Sequence, residues 1–235
     1  MIKIFRNIRK QILEKGNIRK YVIYAIGEIF LVVVGILIAL SINNWNNRKT
    51  LRQTELKVYN NIRNQINEDR NLLMGVIDYN KLYIEQYDYA NQIITRNDRK
   101  RIDTLARIIP NIYNYSDFNR TGNIFQNLVN SGDLKLLKNS TIVERIQSLE
   151  ELYIYVNRLE ENHFKVILEF GGKGIIDNIN FSTGEIERPM EIYSFKFQNI
   201  LISFIDISEE KDEIYERALR EIDVISNLIE KELQE

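Results

Sequence analysis

Residues 21–42 read YVIYAIGEIFLVVVGILIALSI, an apolar run that contains one charge-capable residue, Glu28. As a helix rising 1.5 Å per residue, the run is about 33 Å long, enough to cross a hydrocarbon core of ~30 Å. A cleavable signal is the rival reading, because Ala39-Leu40-Ser41 has the small-x-small form of a cleavage site behind a basic leader. A signal's apolar region is normally shorter and carries no acid. The run is therefore expected to be a permanent transmembrane helix, kept in a chain that starts at Met1. Tyr21 and Tyr24 at one end and Trp45 at the other stand where amphipathic aromatics mark the two membrane–water interfaces.

The flanks predict the orientation. Residues 1–20 carry a net charge of +6 and the 20 residues after the span carry +3. The positive-inside rule then puts the N-terminus in the cytoplasm of a bacterial inner membrane and residues 43–235 on the extracytoplasmic side. Residues 1–20 (MIKIFRNIRKQILEKGNIRK) place Met1, Phe5, Ile8 and Ile12 on one helical face with basic residues around them. Two readings stay open for this tail: a basic amphipathic helix on the inner leaflet, or a positive flank that only sets topology.

Outside the tail and Glu28, 25 basic and 31 acidic residues leave a net of −6. Such a surface does not suit nucleic acid, which needs a basic face to neutralise phosphates. The chain has no Cys, which removes disulfides, thiolate chemistry and Cys-based zinc sites. The 193 residues after the span can bury one core without staples.

Those residues have helical texture. Leu51, Val58, Ile62, Ile66, Leu73, Ile77 and Ile84 recur at steps of four and seven, so the span is expected to continue into a long bundle helix that ends in the polar turn 96–101. A shorter helix is expected over Ile102–Ile109, then a Tyr/Asn-rich loop, then a helix near 122–130 stopped by Ser131-Gly132. Thr141 and Glu144 have capping-box spacing and predict a helix start. Gly171, Gly172 and Gly174 predict its end. A small hairpin is expected within 175–192 around Ser182-Thr183-Gly184, followed by a last helix over about 194–232. Three long antiparallel segments plus short ones give an all-α, up-down helical bundle behind one N-terminal transmembrane helix.

The stretch YAIGEIFLVVVGILIALSINNWN (residues 24–46) resembles the signature of an uncharacterised family of small bacterial membrane proteins, a domain of unknown function. Ser131–Asn139, SGDLKLLKN, resembles that family's helix–turn–helix corner. The resemblance implies a single-span protein with a helical exposed domain and implies no activity.

Glu28 is the leading candidate for function. Inserting an acid into a span costs about 2.5–3.5 kcal/mol, so it is expected to be paired or to face protein. Ala25, Glu28, Val32, Gly35 and Ala39 share one stripe, and Gly35-x-x-x-Ala39 is a small-x3-small packing motif. A hydrogen-bond pin between helices is the reading that follows, with a proton path or snorkelling towards headgroups as alternatives. His163, the only histidine, is expected on a solvated helix surface. Tyr79, Tyr83 and Tyr87 are expected to form a bundle seam with phenol tips reaching water, with a ligand-binding face as the alternative. Gly171-Gly172-Lys173-Gly174 lacks the spacing of a phosphate loop. No catalytic residues, cofactor or metal are expected.

The function expected is a non-enzymatic, membrane-anchored interaction or scaffold protein. Its partners would be the bilayer, further copies of itself and a possible membrane-protein partner. The alternatives are a proton-coupled transport or motor accessory that uses Glu28, and a ligand-sensing ectodomain that signals through a partner.

Overall fold

The structure, a computed structural model, describes residues 18–120 and 122–234. The tail expected over residues 1–20 falls mostly outside the described residues, as does the side chain of Tyr21. The chain divides into two units, Met1–Thr54 and Glu55–Glu235. The described part of the first unit is helix. In the second, helices pack around two apolar cores.

Helix α1 (Ile18–Thr95) passes without a break through the asparagines around Trp45 and through Gly75. Its buried face in the second unit follows the heptad rows that Val58, Ile62, Ile66, Leu73 and Ile77 predict. Leu51 is exposed and lies outside that seam. The helix ends because Asn97 takes a left-handed conformation (φ 51°), which lets the Asn97 and Asp98 N–H groups reach back to the carbonyls of Ile94 and Ile93. A 3₁₀ turn (Arg99–Arg101) leads into α2 (Ile102–Ile108). Pro110 tightens the chain into another 3₁₀ segment (Ile109–Tyr113) rather than stopping it. Residues 114–120 have no regular structure.

Helix α3 (Ile124–Ser131) is capped by the Asn123 side chain, which accepts from Gln126 N–H at 2.7 Å, and ends at Gly132 (φ 79°). After the 3₁₀ turn Asp133–Leu136 comes α4 (Ser140–Val166). The capping box does not form. Asn139 caps α4 instead, accepting from Thr141 N–H and Ile142 N–H, so the helix starts before Thr141 can act as a cap. The glycines do not end α4 either. One π turn (Ile167–Gly171) carries it into α5 (Gly172–Ile176).

The expected hairpin is present as β1 (Ile179–Asn180) paired antiparallel with β2 (Glu185–Ile186). A short α6 (Pro189–Ile192) precedes α7 (Phe195–Gln234). α7 runs antiparallel to α1, as the pairs Arg63–Glu230, Arg70–Asp223 and Asn80–Asp212 show. It is likewise antiparallel to α4, through Arg145–Glu221 and Tyr155–Glu210. α4 therefore runs the same way as α1, as the contacts Glu55–Lys138 and Asp69–Tyr153 show. The up-down order is thus completed by a fourth leg, the broken segment 96–139, which returns the chain between them.

The glycine at 171 is required by space. A Cβ there would lie 2.9 Å from Ile112 Cγ2 and 3.2 Å from Phe204 Cζ, whereas one at Gly75 would meet nothing within 4 Å. Gly171→Ala is therefore expected to lose about 1–3 kcal/mol through overpacking. Gly75→Ala is expected to gain roughly 0.5–1 kcal/mol from helix propensity. Urea unfolding of the full chain in detergent, followed by circular dichroism, separates them, and shifts of the same sign would contradict this account.

Candidate functional site

The two apolar cores are divided by a polar layer. One core is built from Val58–Ile77, Phe118–Leu159 and Ile214–Ile229, the other from Tyr87–Ile112 and Ile167–Ile205. Each long helix crosses from one core to the other and puts polar residues on its buried seam at the crossing. On α1 this is Asn80, on α4 Glu160 and His163, and on α7 Ser208 and Lys211; the loop adds Ser116.

Glu160, 5% exposed, is the centre of this layer. Its Oε1 accepts from Phe118 N–H and from the Tyr215 hydroxyl, both at 2.6 Å. Burial pushes its pKa above the usual carboxylate value, and these two hydrogen bonds oppose the shift. Lys211 is fully buried and donates to the Ser116 carbonyl at 2.9 Å. Burial lowers its pKa to about 8, although nearby Glu160, Asp212 and Asp117 favour the cation. The two charges make no direct ion pair; Lys211 bonds the Ser116 carbonyl and Glu160 the Tyr215 hydroxyl, and the Ser116 and Tyr215 hydroxyls lie 3.4 Å apart. The Ser116 hydroxyl donates to Asn80 Oδ1 at 3.3 Å, and Asn80 donates to the Ser208 carbonyl (2.6 Å) and Asp212 Oδ1 (2.8 Å). One hydrogen-bonded chain thus joins α1, the 114–120 loop, α4 and α7.

The layer opens to solvent beside Glu160 through a cavity of about 480 Å³, lined among others by Tyr115, Asp117, Arg120, Glu161 and Phe164. Arg120 forms a bidentate pair with Glu150 at 2.8 and 2.6 Å and lies over the Tyr153 ring. Glu150 also accepts from Ile124 N–H at 3.0 Å. Further along the same core, Tyr153 donates to Asp69 at 3.1 Å.

His163 is 2% exposed, with its ring between Tyr115 and Phe204. The expectation of a solvated surface histidine is therefore wrong. A lone histidine carries no sign of burial in its own identity, but its register does. Leu149, Tyr153, Val156, Glu160, His163 and Ile167 recur at alternating steps of four and three, and the same heptad on α7 runs through Phe204, Ser208, Lys211, Tyr215 and Ala218. Polar residues on an otherwise apolar stripe were the readable signal of this site. The tyrosine seam is also corrected at one end. Tyr87 is buried and donates to the Asn111 carbonyl at 2.7 Å instead of reaching water, while Tyr79 is exposed.

The candidates chosen from sequence lie elsewhere, on the first part of α1. Tyr24, Ala25 and Glu28 are half-exposed, while Val32, Gly35, Ala39 and Trp45 are exposed. A Cβ added at Gly35 would meet nothing within 4 Å. Among the described residues, α1 is the helix long and apolar enough to cross a membrane.

Residues 28–169, more than half of the chain, match a family described as "Family of unknown function (DUF6090)", and the chain belongs to that family. The match begins at Glu28 and includes the Ser131–Asn139 corner. No curated protein and no solved structure matches the chain.

Burial, with a smaller contribution from Lys211, lowers the His163 pKa to about 3. The folded state therefore holds the neutral ring, while the unfolded chain takes up a proton near pH 6.5. Because the unfolded state binds the extra proton between these values, stability falls as pH drops from 6.5 towards 3. His163→Leu should remove that component. Relative to the variant, the wild type is expected to lose about 1.4 kcal/mol per pH unit across this window. Parallel urea titrations at pH 7, 6, 5 and 4 measure it, and superimposable pH profiles would contradict the buried neutral histidine.

Proposed function

We propose that this member of the DUF6090 family is a single-pass membrane protein of the bacterial inner membrane that carries a helical bundle outside the cytoplasm and works through assembly rather than catalysis. The observation that carries this reading is the uncovered apolar surface of α1. Apart from half-buried Val34, its large aliphatic and Phe side chains from Val22 to Ile42 are 45–66% exposed. A contiguous apolar surface of that size needs a solvent other than water or a partner to cover it. A bilayer covers a helix of this length on all sides, and the charge difference between the flanks, +6 before and +3 after, favours the bundle outside. Tyr21, Tyr24 and Trp45 would then sit at headgroup level.

Assembly is inferred from the stripe of Ala25, Glu28, Val32, Gly35 and Ala39. Small residues let helix backbones approach closely, and an acid inside the bilayer gains from a donor on a neighbouring helix. A second copy of the chain is the simplest source of that neighbour. A proton-coupled role for Glu28 is the competing reading within the same topology.

Four experiments test the proposal. Alkaline carbonate should leave the chain in the membrane pellet, and protease added to spheroplasts should remove residues 55–235; release by carbonate, or protection of the C-terminus, would overturn anchor or orientation respectively. Gly35→Ile should reduce the oligomer seen in a transmembrane association reporter, whereas Leu37→Ile on another face should leave it unchanged. Equal behaviour of the two would remove the stripe as an interface. Glu28→Leu should weaken association by about 0.6–2 kcal/mol, while Glu28→Gln, which still donates and accepts, should preserve it. Intact assembly in the Gln variant, combined with loss of the deletion phenotype's rescue, would favour the proton-coupled reading.

A further inference from the structure

The hollow beside Glu160 holds more charge than the packing of the bundle uses. Its wall is formed by the irregular loop 114–120 and one face of α4, leaving about 480 Å³. Three carboxylates line it, Asp117, Glu160 and Glu161, against a single cation, Arg120. The Arg120 guanidinium is already committed to Glu150 by two hydrogen bonds of 2.8 and 2.6 Å. Asp117 and Glu161 are exposed and, among the described residues, make no hydrogen bond or ion pair.

Glu160 supplies an independent observation. It is 95% buried, since only 5% of its surface is exposed, and it still lines the hollow. Its Oε1 takes both donors offered by the protein, Phe118 N–H and the Tyr215 hydroxyl. Its Oε2 accepts no hydrogen bond among the described residues. Lys211, the nearby buried cation, spends its hydrogen bond on the Ser116 carbonyl instead. Because Glu160 lines the hollow, this second oxygen is open to water and to any donor that replaces it.

The remaining walls narrow the chemistry. Tyr115 and Phe164 both line the hollow with ring centroids 5.8 Å apart. Aromatic faces attract cations, more strongly where water is excluded. An anion would meet three carboxylates and one neutralised arginine, and a neutral polyol would leave the charges unanswered. A bare metal ion needs several oxygens converging at about 2.0–2.6 Å. Among the described residues no group of three His, Asp or Glu side chains comes together in that way. The negative charge is spread along the hollow, which suits a larger cation with an apolar body.

We infer that this hollow binds a small organic ammonium ion, its nitrogen at Glu160, the charges of Asp117 and Glu161 along the hollow around it, and its apolar body against the Tyr115 and Phe164 rings. All of these residues lie in the Glu55–Glu235 unit, so the inference does not depend on the membrane reading of residues 21–42.

The test uses the full chain in nanodiscs of zwitterionic lipid, with empty nanodiscs as the blank. Isothermal titration with benzylammonium and with tetramethylammonium is compared with benzyl alcohol and benzoate. At least one cation should bind saturably at one site per chain, about tenfold or more tighter than either control. Asp117→Asn combined with Glu161→Gln should weaken it about tenfold, and Phe164→Ala about threefold. These three side chains are exposed, so the variants are expected to melt with the wild type. If neither cation saturates, or the alcohol binds as well as the amine, the inference fails. It also fails if the double variant binds like the wild type while melting normally, or if calcium displaces the amine stoichiometrically.

Discussion

The buried carboxylate of Glu160 is the contact on which the middle of the bundle depends. Removing such a group from water is costly, and the fold meets the cost with donors drawn from two other segments. One is the backbone N–H of Phe118, which fixes the loop across α4. The other is Tyr215 on α7. Once the loop is fixed, the Ser116 carbonyl is presented to Lys211 and the Ser116 hydroxyl to Asn80. Packing and the polar layer hold this irregular loop together, since Phe118 is buried in the first core and Tyr115 packs against the second. Apolar packing makes the bundle compact, and the polar layer sets the register of α1, α4 and α7 at the crossing. A slip of one helix by a turn would leave several buried polar groups without partners at once.

Most of the architecture was legible because helical periodicity is a local property. The seam from Val58 to Ile77 and the polar turn after Thr95 were readable from spacing alone. The small hairpin was marked by Ser182-Thr183-Gly184, where Gly184 takes a φ of 74°. The errors arose where two local signals competed or where the answer lay in tertiary contacts. Asn139 and Thr141 are both good caps. Asn139 wins, and its side chain is further held by Glu232 of α7 at 2.8 Å, a contact no spacing predicts. His163 was misplaced by residue type, although its register on the α4 stripe pointed inward. The cavity was not legible at all, because the lining residues of its two walls are 35–49 residues apart and its loop has no periodic pattern.

Gly171 shows why composition misled at the end of α4. Clustered glycines are ordinarily helix terminators, since they favour the unfolded chain and tolerate positive φ. Gly171 needs no such conformation. Ile112 and Phe204 press against the helix backbone here, and only a hydrogen in place of a side chain lets them do so. The helix accommodates this with a π turn over Ile167–Gly171, one helical turn beyond His163. π turns of this kind often accompany functional sites, where they re-aim the side chains around them. Here the turn separates the polar layer from the α5 extension.

Glu28 and Glu160 present the same physical problem, an acid among apolar side chains, in two different surroundings. Within the bundle, Glu160 is met by two donors at 2.6 Å from segments far away in sequence, and its remaining oxygen faces a cavity. Both donors come from elements that pack directly against α4, so a buried acid is tolerated only where a neighbouring backbone or side chain comes within hydrogen-bond reach. Applied to residues 21–42 under the proposed membrane anchoring, that requirement would favour contact on the face of the small stripe. Gly35 and Ala39 remove side-chain bulk on the face that carries Glu28, and in α1 itself the space over Gly35 is open. Close approach by a second helix would exploit both features together, whereas lipid chains would benefit from neither.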